Sequence, residues 1–413
     1  MTTKTAIPTV HRFPGSLLLI FLISLLPVCR TAYGAEPDFV PTSLAATPPM
    51  GWNSWNHFGK AISASDVQRV SDALVSSGMR NAGYVYVNID DGWQGQRDAA
   101  GQLHGNDRFP DIKGLAQYVH ARGLKLGIYS TPGVKSCAGF EGSAGHEDQD
   151  ARTFAEWGVD FLKYDVCSFR EELAEKAQGD PVVAQEMMRA AYLKMHLALE
   201  KAGRPILLSI SQHGMSSVWA WAPSIGIHMW RTGDDVRDRY ESITEIGFAQ
   251  AGLARFSGPG HWNDPDMLEI GNKGLDLDEA RTQMSLWSLL AAPLLAGNDP
   301  SATTPEMLAV LTNCGSIAID QDPAGKQADR LLAQGPVEIW SRDLEDGSKA
   351  VGIFNRNAGA SWMTLDLSLL GWASTGPVKD IWRDTTLPPL SPSQKFLIPR
   401  HGVVLLRVSP SAR

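Results

Sequence analysis

The stretch Val159-Asp160-Phe161-Leu162-Lys163-Tyr164-Asp165-Val166-Cys167 decides the fold of this chain. In a β-strand successive side chains point to opposite faces, so Phe161, Lys163 and Asp165 share one face. An ammonium group beside a carboxylate lowers the pKa of that carboxylate. An ionised aspartate at the open end of a barrel strand is placed to attack an electrophile. Taken alone, a Lys-x-Asp pair is more typical of an edge-strand ion pair or a helix cap.

Similar apolar runs recur from residue 48 onward, separated by helical segments rich in Ala, Leu and Glu. Strands that are apolar along their whole length and alternate with helices indicate a parallel sheet covered on both faces. Eight such units predict a (β/α)₈ TIM barrel. The predicted strands are 50–53, 84–90, 124–130, 159–166, 206–211, 227–231, an ill-defined segment before Trp262, and 291–296. The predicted helices are 65–77, 112–121, 151–157, 182–202 and 277–290.

The alternation of strand-like and helical segments ends at about residue 325. Beyond it, strand-like runs are separated by turn residues, and no helical periodicity occurs. This pattern predicts a C-terminal antiparallel β-sandwich domain. We therefore expect a signal peptide over 1–35, a catalytic barrel over 41–325 and a β domain over 326–413. The predicted C-terminal strands are 337–340, 350–354, 361–365, 378–382 and 402–408.

The N-terminus predicts a secretory signal peptide. Basic residues precede an apolar run over 17–26, which is too short to span a bilayer comfortably, and small residues follow. We expect cleavage just after Gly34 or Ala35 and a secreted or periplasmic mature protein. Lipidation of Cys29 is a minor alternative, because the valine before it makes a poor lipoprotein site.

Removal of the leader leaves Cys137, Cys167 and Cys314, and export permits disulfides. We expect Cys137 to pair with Cys167, because Cys167 ends the fourth predicted strand and Cys137 lies in a glycine-rich loop. The alternative is that all three are buried thiols. No role is predicted for Cys314.

Composition describes an ordinary globular protein of 413 residues, 43% hydrophobic and 20% charged, with a net charge of −8. A nucleic-acid binder would need a basic stripe, and no long run of either sign occurs. We therefore expect a neutral or small polar partner, no nucleic acid, and no membrane attachment after signal cleavage. The sequence carries no signal for an oligomeric state.

Acidic residues follow the second, fourth, sixth and seventh predicted strands, where barrel enzymes hold their chemistry. Each of them alone could be a turn former or a helix cap. If the barrel is right, they converge on one mouth beside three tryptophans, and such an acidic, aromatic-walled cup is typical of a sugar site. The residues are Asp90, Asp91, Lys163, Asp165, Arg231, Asp235, Asp264, Asp266, Trp55, Trp93 and Trp262.

Several motifs occur in order: Met50-Gly51-Trp52-Asn53-Ser54-Trp55, the segment 83–93, Cys137-Ala138-Gly139-Phe140, the segment 160–165, Trp230-Arg231, and Trp262-Asn263-Asp264-Pro265-Asp266-Met267-Leu268. This set resembles glycoside hydrolase family 27, which holds α-galactosidases and α-N-acetylgalactosaminidases. The resemblance covers nearly the whole mature chain. It implies a retaining exo-glycosidase that removes terminal α-D-galactosyl residues from oligosaccharides or glycoconjugates by double displacement, with no cofactor and no metal.

By this resemblance Asp165 is the nucleophile and Asp235 the general acid/base, with Asp234 as a competitor. In a retaining glycosidase the two carboxyl groups lie about 5–5.5 Å apart. Lys163 would keep Asp165 ionised and bind the sugar, while burial and a negative neighbour would keep Asp235 protonated.

The resemblance also implies further substrate contacts. Arg231 could instead form an ion pair with Asp235 or Asp266, and both roles can coexist. Trp55 could belong to the core. The expected contacts are Asp90 and Asp91 at the 4- and 6-hydroxyls, Arg231 and Asp266 at the 2- and 3-side, and Trp55, Tyr129 and Trp262 as walls.

The chain departs from the family after the fifth strand, where relatives often have Cys-Glu-Trp-Gly and this chain has 211–214, Ser-Gln-His-Gly. Gln212 would bond to the 2-hydroxyl and would be too large for a 2-acetamido group, which argues against α-N-acetylgalactosaminidase activity. His213 is predicted to be a packing residue. Keeping both Asp90 and Asp91 favours galactose over L-arabinopyranose.

Other classes stay open. One is β-L-arabinopyranosidase or another specificity of the family, and another is a noncatalytic sugar-binding protein, which would not need both Asp165 and Asp235. A metal-dependent hydrolase could use His261, Asp264 and Asp266, but the chain lacks a His-Glu-x-x-His pairing. The charged segment 169–185 is predicted to govern the choice of aglycone.

Overall fold

A ring of parallel strands forms the centre of the protein in a computed structural model that describes residues 44–411. The strands pair in the order β8-β1-β2-β3-β4-β5-β6-β7, and a parallel bridge between Leu268 and Ala296 links the two ends of the sheet. The predicted (β/α)₈ barrel is thus confirmed. The strands are β1 (Met50–Asn53), β2 (Tyr86–Asn88), β3 (Lys125–Ser130), β4 (Phe161–Asp165), β5 (Leu207–Ser211), β6 (Met229–Arg231), β7 (Trp262–Asp264) and β8 (Leu294–Ala296).

The barrel helices begin where the sequence supplies caps. Ser63 and Asp66 form a reciprocal capping box at the start of α2, and Asp180 caps α7, whose first residue is Pro181. The helices are α1 (Trp55–Phe58), α2 (Ala64–Ser76), α3 (Met79–Ala82), α4 (Ile112–His120), α5 (Glu147–Trp157), α6 (Phe169–Ala177), α7 (Pro181–Lys201), α8 (Tyr240–Phe248), α9 (Leu277–Leu290), α10 (Pro305–Leu311) and α11 (Cys314–Asp320).

The register between β4 and β5 decides which side chains reach the barrel interior. Lys163 pairs with Ser209 and Asp165 pairs with Ser211. Because neighbouring residues in register point to the same face of a sheet, Ser209 and Ser211 share the face of Lys163 and Asp165. Gln212, the next residue, therefore lies on the opposite face of the sheet. This decides the direction of its side chain relative to the candidate site.

The second part of the described chain is an antiparallel β sandwich, as predicted. A six-stranded sheet has the order β9-β10-β11-β16-β13-β14, and β12 pairs with β15. Ile339, Val351, Ile353 and Leu406 belong to the apolar core of this part. The strands are β9 (Asp329–Gln334), β10 (Val337–Asp343), β11 (Lys349–Asn355), β12 (Ser361–Asp366), β13 (Thr375–Asp380), β14 (Thr385–Leu387), β15 (Ser393–Ile398) and β16 (Val403–Pro410).

Helix α9 lies between the barrel and the β sandwich, and most of its residues are buried. Trp382 donates its indole N–H to the Ser285 hydroxyl (2.8 Å), and the buried Arg342 donates to the Ser288 carbonyl (2.8 Å). These bonds satisfy polar groups that would otherwise be costly to bury, and they fix the sandwich on the barrel.

Two sequence expectations differ from the structure. The seventh strand begins at Trp262 instead of before it, because Gly258 and His261 pair with each other and turn the chain immediately upstream. The segment 169–185 is helical and contributes α6 and the first turn of α7. Among the helices within residues 44–411, none has the length and apolarity needed to cross a bilayer. The predicted signal peptide and Cys29 lie outside the described residues.

Candidate active site

Asp165 lies at the barrel mouth, where β4 ends, and only 7% of it is exposed. Its Oδ1 accepts the backbone N–H of Val166 (2.7 Å), and its Oδ2 accepts the hydroxyl of Tyr129 (3.1 Å). The Nε2 atom of His213 lies 3.6 Å from Oδ1. These contacts fix the orientation of the carboxylate.

The charges around Asp165 keep it ionised. Burial raises the pKa of Asp165, but the hydrogen bond from His213 and the positive charges of Lys163 and Arg231 outweigh burial, so the pKa lies below its usual value. Lys163 acts on Asp165 only through its charge, because its Nζ donates to Asp90 Oδ2 at 2.8 Å. The sequence expectation that the cation would support Asp165 holds, but the bonded partner of Lys163 is Asp90.

Asp90 and Asp91 follow β2 and are both buried. Asp90 Oδ2 also accepts from Asn53 (2.8 Å), and Asp90 Oδ1 accepts the backbone N–H of Asp91 (2.9 Å). Asp91 Oδ2 accepts the N–H of Ala138 (2.7 Å), while its Oδ1 has no hydrogen-bond partner among the described residues. Burial raises the pKa of Asp91, while the Ser136 hydroxyl and the Ala138 N–H act in the opposite direction. Protein atoms enclose Asp91 Oδ1.

Arg231 ends β6 and ties the following loop to the barrel. Its Nη2 lies 3.0 Å from Asp266 Oδ2 and 3.2 Å from Asp235 Oδ1, and it donates to the carbonyl of Asp234 at 2.7 Å. Asp266 Oδ2 accepts the N–H of Val236 (2.8 Å). The ion pairs weighed for Arg231 from the sequence are therefore both present, and together they position Asp235.

Asp235 and Asp234 differ in their surroundings. The side chain of Asp235 is 62% exposed and contacts Arg231 and His213, whereas that of Asp234 is 97% exposed. The expectation that Asp235 is buried is wrong, because the loop after β6 stands above the mouth instead of inside it. Asp235 is the aspartate that this loop directs toward the site.

His213 connects the two carboxylates, a role that sequence reasoning missed. Its Nε2 lies 3.6 Å from Asp165 Oδ1, and its Nδ1 lies 3.6 Å from Asp235 Oδ1. A single imidazole therefore lies close to both groups, one at each of its ring nitrogens. The histidine was read as a packing residue because nothing in its sequence context reveals that β5 ends beside both aspartates.

Gln212 does not reach the sugar position, and that prediction is wrong. The residue is fully buried, and its amide N–H₂ group lies 3.4 Å from the Arg231 carbonyl. The cause is strand parity: Ser211 shares the face of Asp165, so Gln212 points to the opposite side.

The predicted aromatic walls are only partly present. Trp262 is fully buried and donates its indole N–H to the carbonyl of Ala45 (2.7 Å), so its assignment to the mouth is wrong. It starts β7 instead of ending it. Trp93 is also fully buried, with its indole N–H on the Tyr129 carbonyl (2.9 Å). Trp55 is partly exposed at the start of α1, and its role as a wall stays a prediction.

Tyr129 is 1% exposed, and its hydroxyl contacts Asp165 Oδ2 and the Cys167 sulfur. Lys163 Nζ lies 5.3 Å from the centre of its ring. Tyr129 therefore lies in the site, as predicted, and it also orients the Asp165 carboxylate. The spacing of β3 residues alone could not reveal this hydrogen bond.

Cys137 and Cys167 are joined by a disulfide bond, and Cys314 is an exposed free thiol. The bond joins two segments of the site. One is the loop whose Ala138 N–H donates to Asp91, and the other contains Cys167, two residues after Asp165. It also uses both sulfur atoms that a metal held by Cys137, Asp165 and Cys167 would need.

We expect Cys137→Ser to destabilise the protein by about 3 kcal/mol, because the bond closes a loop with a sequence separation of 30. The Tm should fall, and the activity proposed below should fall with it, because Cys167 adjoins the site. Differential scanning calorimetry of Cys137→Ser and of the matched Cys314→Ser variant checks this. An equal Tm for both variants would show that the disulfide contributes nothing.

A cleft of about 910 Å³ opens beside Asp235, and His213, Trp219 and Arg170 line part of it. Its volume lies within the range of small-molecule sites. Most of its other lining residues come from the loop after β6 and from α8, so the cleft adjoins Asp235 on the side of α8.

Comparisons with known proteins agree with this geometry. The family model "Alpha galactosidase A" matches residues 47–322, and "Alpha galactosidase C-terminal beta sandwich domain" matches residues 334–408. The chain is 41% identical to α-galactosidase A of Cellvibrio japonicus over 391 residues, covering 89% of this chain and 93% of that protein. It is 38% identical to α-N-acetylgalactosaminidase of Gallus gallus over 398 residues, with 89% and 95% coverage.

The crystal structure of α-galactosidase I from Mortierella vinacea superimposes with a TM-score of 0.83 at 32% identity, covering 90% of this chain and 99% of that chain. Barrel, sandwich and sequence motifs therefore agree across the matched length. The chain belongs to the α-galactosidase family, glycoside hydrolase family 27.

Proposed function

We propose that this glycoside hydrolase removes terminal α-D-galactosyl residues from oligosaccharides or glycoconjugates with retention of configuration. The observation that carries the proposal is that two carboxylates, Asp165 at the end of β4 and Asp235 in the loop after β6, lie beside the same His213 imidazole at the barrel mouth. Family membership and the similarity to α-galactosidases support the same activity.

In the first step the Asp165 carboxylate attacks the anomeric carbon, and the bond from that carbon to the leaving oxygen breaks. Asp235 transfers its proton to the leaving oxygen, which departs into the cleft beside it. In the second step Asp235 removes a proton from water, the water oxygen attacks the anomeric carbon, and Asp165 leaves as a carboxylate. Two inversions at one carbon retain the α configuration.

The buried polar groups around Asp165 fit the hydroxyls of a hexose. Asp90, Asp91 and Lys163 form one acidic and basic cluster on the β2 side, and Arg231 and Asp266 form another on the β6 and β7 side. The presence of both Asp90 and Asp91 at the end of β2 supports a sugar with a C6 hydroxyl, and so galactose over L-arabinopyranose. We assign these five residues and Trp55 to substrate binding.

The buried position of Gln212 removes the size argument against a 2-acetamido group. A relative named α-N-acetylgalactosaminidase makes this activity the second candidate. Aryl glycosides of α-galactose, α-N-acetylgalactosamine, β-L-arabinopyranose and α-glucose separate the alternatives. We expect the α-galactoside to have the highest kcat/KM, and proton NMR to show α-galactose as the first product. First release of the β anomer would contradict the retaining mechanism, and a flat response to every sugar would favour a noncatalytic sugar-binding protein.

We also propose that residues 1–35 are a leader and that the mature protein acts in the periplasm or outside the cell. The disulfide between Cys137 and Cys167 supports an oxidising compartment. Catalysis is assigned to the barrel, 41–325, and the β domain, 326–413, covers α9. Mass spectrometry of the mature protein after expression with its leader tests the cleavage site.

A further inference from the structure

The turn that carries His213 is fixed against the loop that carries Asp235. His213 has a φ of +58°, a conformation in which Asn, Asp and His are enriched among non-glycine residues. The N–H of Gly214 donates to the Arg231 carbonyl (3.1 Å), and a Cβ on Gly214 would lie 2.5 Å from the Thr232 carbonyl oxygen. The end of β5 therefore packs directly on the start of the acid/base loop.

The imidazole lies between carboxylates. Only 16% of its side chain is exposed, and its two nitrogens lie 3.6 Å from Asp165 and from Asp235. Asp234 lies 4.0 Å from Nδ1. Each ring nitrogen therefore approaches a different carboxylate, at a distance just beyond that of a direct hydrogen bond.

Other polar and charged side chains from neighbouring strands and loops also lie near Asp165, Asp235 and His213. Tyr129 bonds to Asp165 from β3, while Lys163 and Arg231 add positive charge from β4 and β6. None of these three contacts both aspartates, whereas His213 does. The remaining charged groups of the surroundings include Asp90, Asp91, Arg170, Asp234, Arg237, Arg239, Glu245, Asp264 and Asp266.

We propose that His213 is a positioning residue that holds Asp165 and Asp235 in their relative orientation through the contact of one ring nitrogen with each carboxylate. The proposal rests on the catalytic roles assigned above to both aspartates. It assigns the functional role in the turn after β5 to His213, whereas the sequence predicted that Gln212 would bond to the 2-hydroxyl of the sugar.

His213→Asn and His213→Gly test the proposal, because both replacements tolerate a positive φ and remove the imidazole. Without the imidazole, the Asp165 carboxylate loses one of the contacts that lower its pKa. We expect the acid limb of the kcat/KM profile to move to higher pH by about 1 unit. We also expect kcat/KM to fall about tenfold more for melibiose than for p-nitrophenyl α-galactoside, because the sugar leaving group needs protonation. Added imidazole should restore part of the activity of His213→Gly.

His120→Asn is the matched control, since His120 contacts Asp160 (2.7 Å) just before the start of β4, away from the mouth. Its pH profile should equal that of the wild type. The proposal is overturned if the acid limb stays in place in both His213 variants and kcat/KM falls equally for the two substrates. In that case, hydrolysis of α-galactosides by the wild type would still support the proposed function. A wild type inactive on every α-galactoside would instead refute the proposed function.

Discussion

Asp165→Asn is expected to lower kcat for p-nitrophenyl α-galactoside by at least about 10³-fold. The amide cannot form the ester with the anomeric carbon, because its nitrogen and oxygen are poor nucleophiles without the negative charge. Its amide oxygen can still accept the Val166 N–H in the place of Oδ1, and its amide nitrogen in the place of Oδ2 can donate to the Tyr129 hydroxyl oxygen. The fold should therefore survive, and thermal unfolding checks that it does.

Asp165→Gly in the presence of azide identifies the role. A small anion can occupy the space of the missing carboxylate, attack the anomeric carbon once and expel the leaving group. We expect β-galactosyl azide as the product, identified by NMR. Near-wild-type turnover by Asp165→Asn, or formation of the α-azide by Asp165→Gly, would show that Asp165 is not the nucleophile.

Asp235→Asn is expected to lower kcat for melibiose by about 10²–10⁴-fold, the usual worth of general acid–base catalysis. The loss of kcat/KM for an activated aryl galactoside should be smaller, because nitrophenolate leaves without a proton. Azide should now attack the galactosyl-enzyme ester and give α-galactosyl azide. Steady-state kinetics on both substrates and product analysis measure these effects.

Asp234→Asn is the matched control for Asp235→Asn. The Asp234 side chain is 97% exposed, and Arg231 contacts its backbone carbonyl instead of its carboxylate. We expect less than about a twofold change, as for surface substitutions in general. A larger loss in Asp234→Asn than in Asp235→Asn would exchange their roles.

The sequence predicted the fold well because local patterns are enough for a barrel of repeated units. Apolar strands with alternating helices indicated eight parallel strands, and the structure contains them in the predicted order. Within β4, the period of two placed Lys163 and Asp165 on one face without any tertiary information. Motif resemblance then selected the family, which the comparisons confirm.

The errors in the candidate site have one physical origin. The resemblance to the family's motifs is the basis on which Trp262 and Gln212 are predicted to contact the sugar, but a side chain reaches the mouth only from the correct end and the correct face of a strand. Trp262 starts β7, and Gln212 lies on the opposite face from Ser211. Burial hides both residues from a sugar.

The sequence by itself determined the barrel, the sandwich, the family and the identity of the charged residues at the strand ends, because these follow from periodicity and from motifs contiguous in the chain. Only the tertiary structure decided that Lys163 bonds to Asp90, that Asp235 stands exposed, and that His213 joins Asp235 to Asp165. Contacts between side chains from different strands depend on strand register and on loop direction. Neither can be inferred from a single segment of the sequence.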